Sequence, residues 1–81
     1  MVIKVLGSGC KNCKKLLSNV EKVVKDISLD GVEVLYITDL DEISKTGLLR
    51  TPGLMFDKKI VSSGRVPTAK EVKTMLEDYL N

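Results

Sequence analysis

The sequence predicts an α/β domain in the order β-α-β-α-β-β-α, with a four-stranded mixed sheet and helices on both faces. Three observations lead to this prediction. Short apolar runs rich in β-forming residues alternate with stretches of helical periodicity in the first half of the chain. Two apolar runs then flank a short polar turn, which is typical of a hairpin. A helix-capping pattern precedes an apolar-faced segment at the end of the chain.

The composition indicates one domain, residues 1–81, because 81 residues with 43% hydrophobic and 30% charged side chains suit a single small core. A net charge of +2, with only two tyrosines and one phenylalanine, provides neither a basic stripe nor a base-stacking platform, so no nucleic-acid partner is expected. The N-terminal apolar run is too short for a signal peptide, and no segment is long enough to span a bilayer. We therefore expect a cytoplasmic protein without membrane contact, and nothing in the sequence requires more than a monomer.

The first half of the chain predicts two strands joined by a helix. The apolar run VIKVL predicts a strand that ends at Gly7 and Gly9. From Cys13 onward the periodicity predicts a helix of about four turns, which the stretch 28–31 ends, and the run 32–37 predicts the second strand. The inward-facing residues of the helix are Leu16, Leu17, Val20, Val23, Val24 and Ile27.

A short second helix is predicted by the stretch TDLDEISKTG. Thr38 or Asp39 would cap it, and acidic residues suit its first turn because they face the positive end of the helix dipole. Leu40 and Ile43 are expected to face inward, and Gly47 would end the helix.

The last third of the chain predicts a hairpin followed by a helix. After the TPG sequence, LMF predicts a third strand, DKK a turn and IV a fourth strand. Thr68 and Glu71 form a capping-box pattern, preceded by Pro67. The apolar side of the helix behind it comprises Val72, Met75, Leu76, Tyr79 and Leu80. Helical connections between the first three strands favour parallel pairing for at least the first two.

The only two cysteines, Cys10 and Cys13, lie three positions apart between the first strand and the first helix. A structural disulfide would close a loop of only four residues, which the chain-entropy model values at about 2 kcal/mol, and a bond placed for stability would span more chain. Metal binding is a second interpretation. A closed zinc site needs four ligands, and the chain has no histidine, although two thiolates suit a soft ion such as Cu(I). Copper chaperones, however, follow the order β-α-β-β-α-β and end in a strand.

Dithiol–disulfide exchange is the third interpretation, and the spacing favours it. Cys10 falls at the start of the helix, where free backbone N–H groups and the positive end of the dipole stabilise a thiolate. Cys13 lies about one turn further in and more shielded, so Cys10 is expected to attack and Cys13 to resolve the mixed disulfide. Gly9, with its neighbours in the loop, would let the backbone of a partner approach closely.

Three lysines follow the first cysteine: Lys11, Lys14 and Lys15. Positive charge at a helix N-terminus is unfavourable for the helix, but it would help to hold Cys10 ionised. The alternative is that these lysines are ordinary solvated surface residues.

With the sequence CKNC after the first strand, Thr51-Pro52 before the third and this order of elements, the chain resembles the thioredoxin superfamily over essentially its whole length. It is most similar to the small, glutaredoxin-sized redox proteins of archaea and bacteria called redox-active disulfide proteins. The resemblance implies a thioredoxin-like fold with a cis Thr51–Pro52 bond beside the cysteines, where Thr51 and Pro52 contact the substrate strand. It also implies a protein-disulfide reductase that needs no cofactor beyond the Cys10–Cys13 disulfide. Its partners would be protein disulfides and a thioredoxin-reductase-like electron donor.

Three departures from the relatives bear on the mechanism. The tryptophan of the thioredoxin sequence WCGPC is absent, and Lys4 stands where thioredoxins carry a buried aspartate, so Cys13 would need water or another group as base. The segment 62–65, SSGR, lacks the acidic residue with which glutaredoxins hold glutathione, so glutathione dependence is not predicted. A non-enzymatic soft-metal carrier and a catalytically silent adaptor of the same fold stay open as alternatives.

Overall fold

Strands and helices follow one another in the order that the sequence predicts. A computed structural model describes residues 1–27, 31–48 and 50–80. The strands are β1 (Val2–Leu6), β2 (Glu33–Ile37), β3 (Gly53–Phe56) and β4 (Lys59–Ser63), and the helices are α1 (Lys11–Ile27), α2 (Leu40–Lys45) and α3 (Ala69–Leu80). The predicted end of the first helix falls mainly on residues 28–30, which lie outside the described ranges. Within those ranges, no helix is long and apolar enough to cross a membrane.

The four strands form one mixed sheet in the order β2-β1-β3-β4. β1 pairs parallel with β2 across the helical connection α1, and the predicted parallel pairing of the first two strands is therefore confirmed. β3 runs antiparallel to both β1 and β4, and the β3–β4 pair is the predicted hairpin. The two-residue alternation of β3 sends its side chains to both faces of the sheet, and all four of its residues are buried.

The two faces of the sheet carry two separate apolar clusters. The larger cluster joins α1 and α3 to one face, and its buried members are Ile3, Val5, Leu16, Val20, Val23, Leu54, Phe56, Val72 and Leu76. The smaller cluster packs α2 and the segment behind it on the other face, through Leu6, Ile43, Leu48 and Met55. Helices therefore cover both faces, and the strand alternation decides which cluster each side chain joins.

One end of the sheet gathers segments that are far apart in sequence. The Gly7 N–H donates to the Ile37 carbonyl at 3.0 Å, which brings the ends of β1 and β2 together. Leu6 pairs with Gly53, and Gly53 pairs in turn with Ser63, so the start of β3 and the end of β4 lie at this end as well. We call this end the cysteine rim and define it by residues 7–10, 38–40, 50–52 and 63–64.

Both predicted helix caps are formed. Thr68 and Glu71 exchange the two hydrogen bonds of a capping box, each at 3.2 Å, at the start of α3. These bonds to Thr68 lower the pKa of the Glu71 carboxyl below its ordinary value, because they favour its charged form. At α2, the Asp39 carboxylate accepts the Asp41 N–H at 2.9 Å, so Asp39 is the cap and Thr38 is not.

The prediction that Leu40 faces inward is wrong, because this side chain is 68% exposed. α2 has six residues, and so short a helix turns only a narrow side toward the sheet. Ile43, 5% exposed, occupies that side. Leu80 was expected on the apolar side of α3 but is half-exposed, because it is the last residue of the helix.

At the opposite end of the sheet, Asp57 links three parts of the chain. Its carboxylate accepts the Val2 N–H and the Tyr79 hydroxyl, each at 2.8 Å. These hydrogen bonds, chiefly the one from Val2, hold the pKa of Asp57 below its ordinary value, and the bond to Asp57 raises the pKa of Tyr79. The Tyr79 ring also packs against Phe56 with the ring centroids 5.5 Å apart, which anchors α3 on the hairpin.

Candidate active site

Cys10 and Cys13 differ sharply in their exposure to solvent. Cys10 is the residue before α1 and is exposed, whereas Cys13 lies in the first turn of the helix and is fully buried. A disulfide joins them, with a distance of 5.1 Å between their Cα atoms. A partner arriving from solvent can therefore reach the sulfur of Cys10 but not that of Cys13.

Cys10 occupies the cap position of α1. Its carbonyl accepts the Lys14 N–H at 3.1 Å, which is the first hydrogen bond of the helix, and its sulfur accepts the Cys13 N–H at 3.3 Å. A capping side-chain oxygen usually accepts this bond, and here the sulfur accepts it. The Cys13 N–H thus points at the Cys10 sulfur at the positive end of the helix dipole, where negative charge is stabilised.

The first turn of α1 contains no acidic residue. The side chains of Lys11, Lys14 and Lys15 are all exposed. The charge around Cys10 is therefore positive on the helix side, and no carboxylate of this turn offsets it.

Gly7 packs directly on the buried cysteine. A Cβ atom built on Gly7 would overlap the Cys13 sulfur and lie 2.8 Å from the Cys13 Cβ. From the sequence, Gly7 is expected only to end the first strand, in a loop that a partner's backbone can approach. The contact with Cys13 was not predicted, because it forms only when β1 packs on α1. Gly9 differs: a Cβ there would meet nothing within 4 Å, and its φ of +86° is the reason for glycine at that position.

Thr51 and Pro52 lie on the cysteine rim. Their peptide bond is cis, Thr51 is exposed and Pro52 is buried. Because Gly53 pairs with Leu6, the chain entering β3 runs beside the chain that leaves β1 towards Cys10. The Pro52 carbonyl accepts the Gly64 N–H at 2.9 Å, whereas the Thr51 backbone makes no hydrogen bond within residues 1–27, 31–48 and 50–80.

The surroundings of Cys13 are apolar. No polar or charged residue is buried as a whole among the described residues. Lys4 is half-buried and lies on the opposite face of β1 from Ile3 and Val5, so it does not share the α1 face with Cys13. Nothing in the sequence singles out Tyr36, whose hydroxyl is the one buried side-chain oxygen or nitrogen in the described part of the chain that lacks a hydrogen-bond partner.

The rim brings together most of the residues that the sequence singled out. Cys10, Gly9, Thr51 and Pro52 lie on it, and Cys13 lies directly beneath it against Gly7. Over the described ranges, no group of three or more histidine, cysteine, aspartate or glutamate residues is placed to hold a metal ion. This arrangement suits thiol–disulfide exchange. Cys10 is accessible, Cys13 lies within bonding distance of it, and the Thr51 backbone lies at the same end of the sheet.

Comparison with known proteins agrees with this chemistry. The model of the thioredoxin domain family matches residues 1–77. A protein named thioredoxin from Methanocaldococcus jannaschii is 38% identical over 80 residues, which covers 99% of this chain and 91% of that protein. A second thioredoxin, from Methanothermobacter thermautotrophicus, is 37% identical over 76 residues, covering 94% and 97% of the two chains. The solved structure of a malarial protein superposes with a TM-score of 0.70 over 99% of this chain and 97% of its own, and at 15% identity it supports the fold alone.

Proposed function

The chain belongs to the thioredoxin family, and on that premise we propose that Cys10 is the attacking thiolate and Cys13 the resolving thiol of its exchange reaction. Protein thiol–disulfide oxidoreductase activity is supported by the two thioredoxin relatives and by the Cys10–Cys13 disulfide. The assignment of the attacking role to Cys10 and the resolving role to Cys13 rests on one observation. Cys10 is exposed and its sulfur accepts the Cys13 N–H, whereas Cys13 is fully buried.

The proposed reaction moves two electrons and two protons. The Cys10 thiolate attacks one sulfur of a substrate disulfide, the substrate S–S bond breaks, and the leaving sulfur departs as a thiolate that takes a proton from water. Cys13 then gives up its proton and attacks the Cys10 sulfur, which breaks the mixed disulfide and releases the second substrate thiolate. The substrate is reduced to a dithiol, and the Cys10–Cys13 disulfide forms.

The proton of Cys13 needs an acceptor in this scheme. Burial in apolar surroundings raises the cost of a free thiolate, so the proton must leave as the new S–S bond forms. By the resemblance to thioredoxins, Lys4 stands where that family carries an aspartate, and it lies on the face of β1 opposite to Ile3 and Val5. We therefore assign the acceptor to water that reaches the rim when the mixed disulfide opens.

Thr51, Pro52 and Gly9 are the proposed substrate contacts. The exposed Thr51 has no backbone partner among the described residues, which leaves its N–H and carbonyl for an extended segment of substrate. Gly9 leaves open space above the loop before Cys10. Pro52 is buried and fixes the position of Thr51 through its own hydrogen bond to Gly64.

The thioredoxin family implies protein disulfides as substrates and a reductase as donor in general. We propose a thioredoxin-reductase-like donor, which returns two electrons to the Cys10–Cys13 disulfide. We also propose a cytoplasmic site of action, since that compartment keeps exchange dithiols reduced between turnovers. A monomer suffices, because every residue placed at the site comes from one copy of the chain.

Reduction of insulin disulfides by wild type, Cys10→Ser and Cys13→Ser tests the assignment. We expect Cys10→Ser to lose all activity, and Cys13→Ser to form a mixed disulfide with substrate that it cannot release. Full activity of Cys10→Ser would overturn the proposal. Metal analysis and a thiol count on anaerobically purified protein separate the carrier alternative, which requires stoichiometric metal with both thiols intact.

A further inference from the structure

Arg50 is an exposed residue of the cysteine rim that neither the fold nor the proposed exchange reaction has yet explained. It directly precedes Thr51. Because Gly53 pairs with Leu6, the segment 50–52 runs beside the chain that leads from β1 to Cys10. A substrate segment that pairs with the Thr51 backbone would therefore pass the Arg50 side chain.

Gly64 holds the stem of Arg50 in place. A Cβ atom built on Gly64 would lie 3.1 Å from the Arg50 Cβ and 3.2 Å from its Cδ, so the arginine stem crosses the bare glycine backbone. Gly64 also has a φ of +70°, which favours glycine. Two hydrogen bonds fix the backbone around this contact: Gly64 N–H to the Pro52 carbonyl at 2.9 Å, and the Ser63 hydroxyl to the Arg50 carbonyl at 3.5 Å.

The guanidinium of Arg50 has no ion pair within residues 1–27, 31–48 and 50–80. Arg65, the other arginine near this end of the sheet, is paired with Glu71 at 3.5 Å. Among the described residues, Arg65 thus has an internal partner, whereas the guanidinium of Arg50 has none and its stem packs against Gly64. A stem that is already packed loses less conformational entropy when the head group binds an anion.

The charge on the two sides of Cys10 is unequal. On the helix side and towards β3 lie Lys11, Lys14 and Arg50, all exposed. The acidic residues of this end follow the end of β2: they are Asp39, which caps α2, and Asp41 and Glu42 in the first turn of α2. A carboxylate on the substrate is therefore attracted towards Arg50 and the lysines and repelled from the start of α2.

We propose that Arg50 is a specificity-determining residue of the exchange reaction: its guanidinium, held by Gly64, binds a carboxylate in the substrate segment that flanks the target disulfide. The preferred substrates are then disulfides in acidic peptide segments. A planar guanidinium can bind a carboxylate through two parallel hydrogen bonds, which gives orientation as well as attraction. The inference rests on the proposed function, since the bound segment must present its disulfide to Cys10.

Two synthetic peptides test it, each with one internal disulfide, flanked by glutamates in one and by glutamines in the other. The second-order rate constant for reduction by the reduced protein is measured for both by acid quenching and mass spectrometry. We expect wild type to favour the glutamate peptide by roughly threefold to fivefold at low ionic strength, and by less at high ionic strength because salt screens the contact. Arg50→Gln should bring this ratio close to one, because the contact that favours the glutamate peptide is lost.

Arg65→Gln is the matched control, because it removes the same charge from an arginine that already has a partner, and it should keep the wild-type ratio. Arg50→Lys should give an intermediate ratio, since it restores the charge without the planar fork. A general loss of structure or of Cys10 reactivity would slow both peptides equally, so the ratio isolates the contact. Equal rates in wild type, or an undiminished ratio in Arg50→Gln, overturns the inference and leaves the Cys10 chemistry standing. Reduction by Cys10→Ser at the wild-type rate overturns the proposed function, and the inference with it.

Discussion

Gly7 lies so close to Cys13 that a single added Cβ atom would overlap the buried sulfur. The contact joins the end of β1 to the first turn of α1, next to the disulfide that links Cys13 to the exposed Cys10. Any rearrangement of Cys13 during exchange therefore has to be accommodated against backbone, which moves less readily than a side chain. Gly7 therefore limits the space that is available to the Cys13 sulfur during exchange.

We predict that Gly7→Ala impairs the resolving step. The added methyl group must displace Cys13 or the β1 backbone, so we expect the free energy of unfolding to fall by roughly 1–3 kcal/mol and the mixed disulfide to persist longer. Chemical denaturation and quenched-flow alkylation measure the two effects. Gly31→Ala is the control: its φ of +79° makes alanine unfavourable, but nothing lies within 4 Å of the added atom. It should lower stability and leave the lifetime of the mixed disulfide unchanged, and an unchanged lifetime in Gly7→Ala as well would show that the contact does not constrain Cys13.

A second prediction concerns the pH dependence of stability through Asp57 and Tyr79. The folded protein lowers the pKa of Asp57 from 3.8, so its contribution is present above that value and is lost as the pH falls through the lower folded-state pKa. It raises the pKa of Tyr79 from 10.0, so that contribution is present below that value and is lost as the pH rises through the higher folded-state pKa. Tyr79→Phe should therefore melt several degrees below wild type near neutral pH, and the difference should shrink at both extremes.

Thermal unfolding followed by circular dichroism across this pH range provides the measurement. Tyr36→Phe is a matched control, because it removes a buried hydroxyl that has no hydrogen-bond partner among the described residues. This variant should be as stable as wild type or more so. A Tyr79→Phe curve parallel to that of wild type at every pH would contradict the assignment to the Asp57 hydrogen bond.

The sequence predicted the parts of this structure that depend on local or periodic signals. The capping box of Thr68 and Glu71 lies within one helical turn, and both of its hydrogen bonds are formed. The parallel pairing of the first two strands followed from the helix between them. Such features need no knowledge of which segments meet in space.

What the sequence did not predict depends on contacts between distant segments. The packing of Gly64 against Arg50 joins the end of the hairpin to the chain before β3. The Tyr36 hydroxyl, which has no hydrogen-bond partner among the described residues, is buried only when β2 is covered, and the hydrogen bond between Asp57 and Tyr79 joins the hairpin turn to α3. The prediction for Leu40 was wrong because periodicity indicates which residues share a helix face. It does not indicate whether a six-residue helix buries the whole of that face.

A third prediction follows from the correction at Leu40. Since its side chain is 68% exposed, Leu40→Ser should change the free energy of unfolding by no more than about 0.5 kcal/mol. Ile43→Ala, on the same helix but 5% exposed, should cost about 2–4 kcal/mol because it leaves a cavity beside Leu6 and Met55. Urea denaturation of the two variants measures both values. Similar losses for the two would mean that Leu40 packs on the protein in solution.

The fourth prediction addresses the lysines around the reactive cysteine. If Lys11 and Lys14 help to hold Cys10 as a thiolate, replacing both with glutamine should move the midpoint of its alkylation rate to higher pH, by roughly half a unit for exposed charges at a helix end. Iodoacetamide alkylation of the reduced protein against pH provides the midpoint. Lys22→Gln is the control, because this exposed lysine lies about 16 Å further along α1, beyond the screening length of the solvent. An identical midpoint in all three proteins would assign the ionisation of Cys10 to the Cys13 N–H and the helix terminus, and would leave the lysines as solvated surface residues.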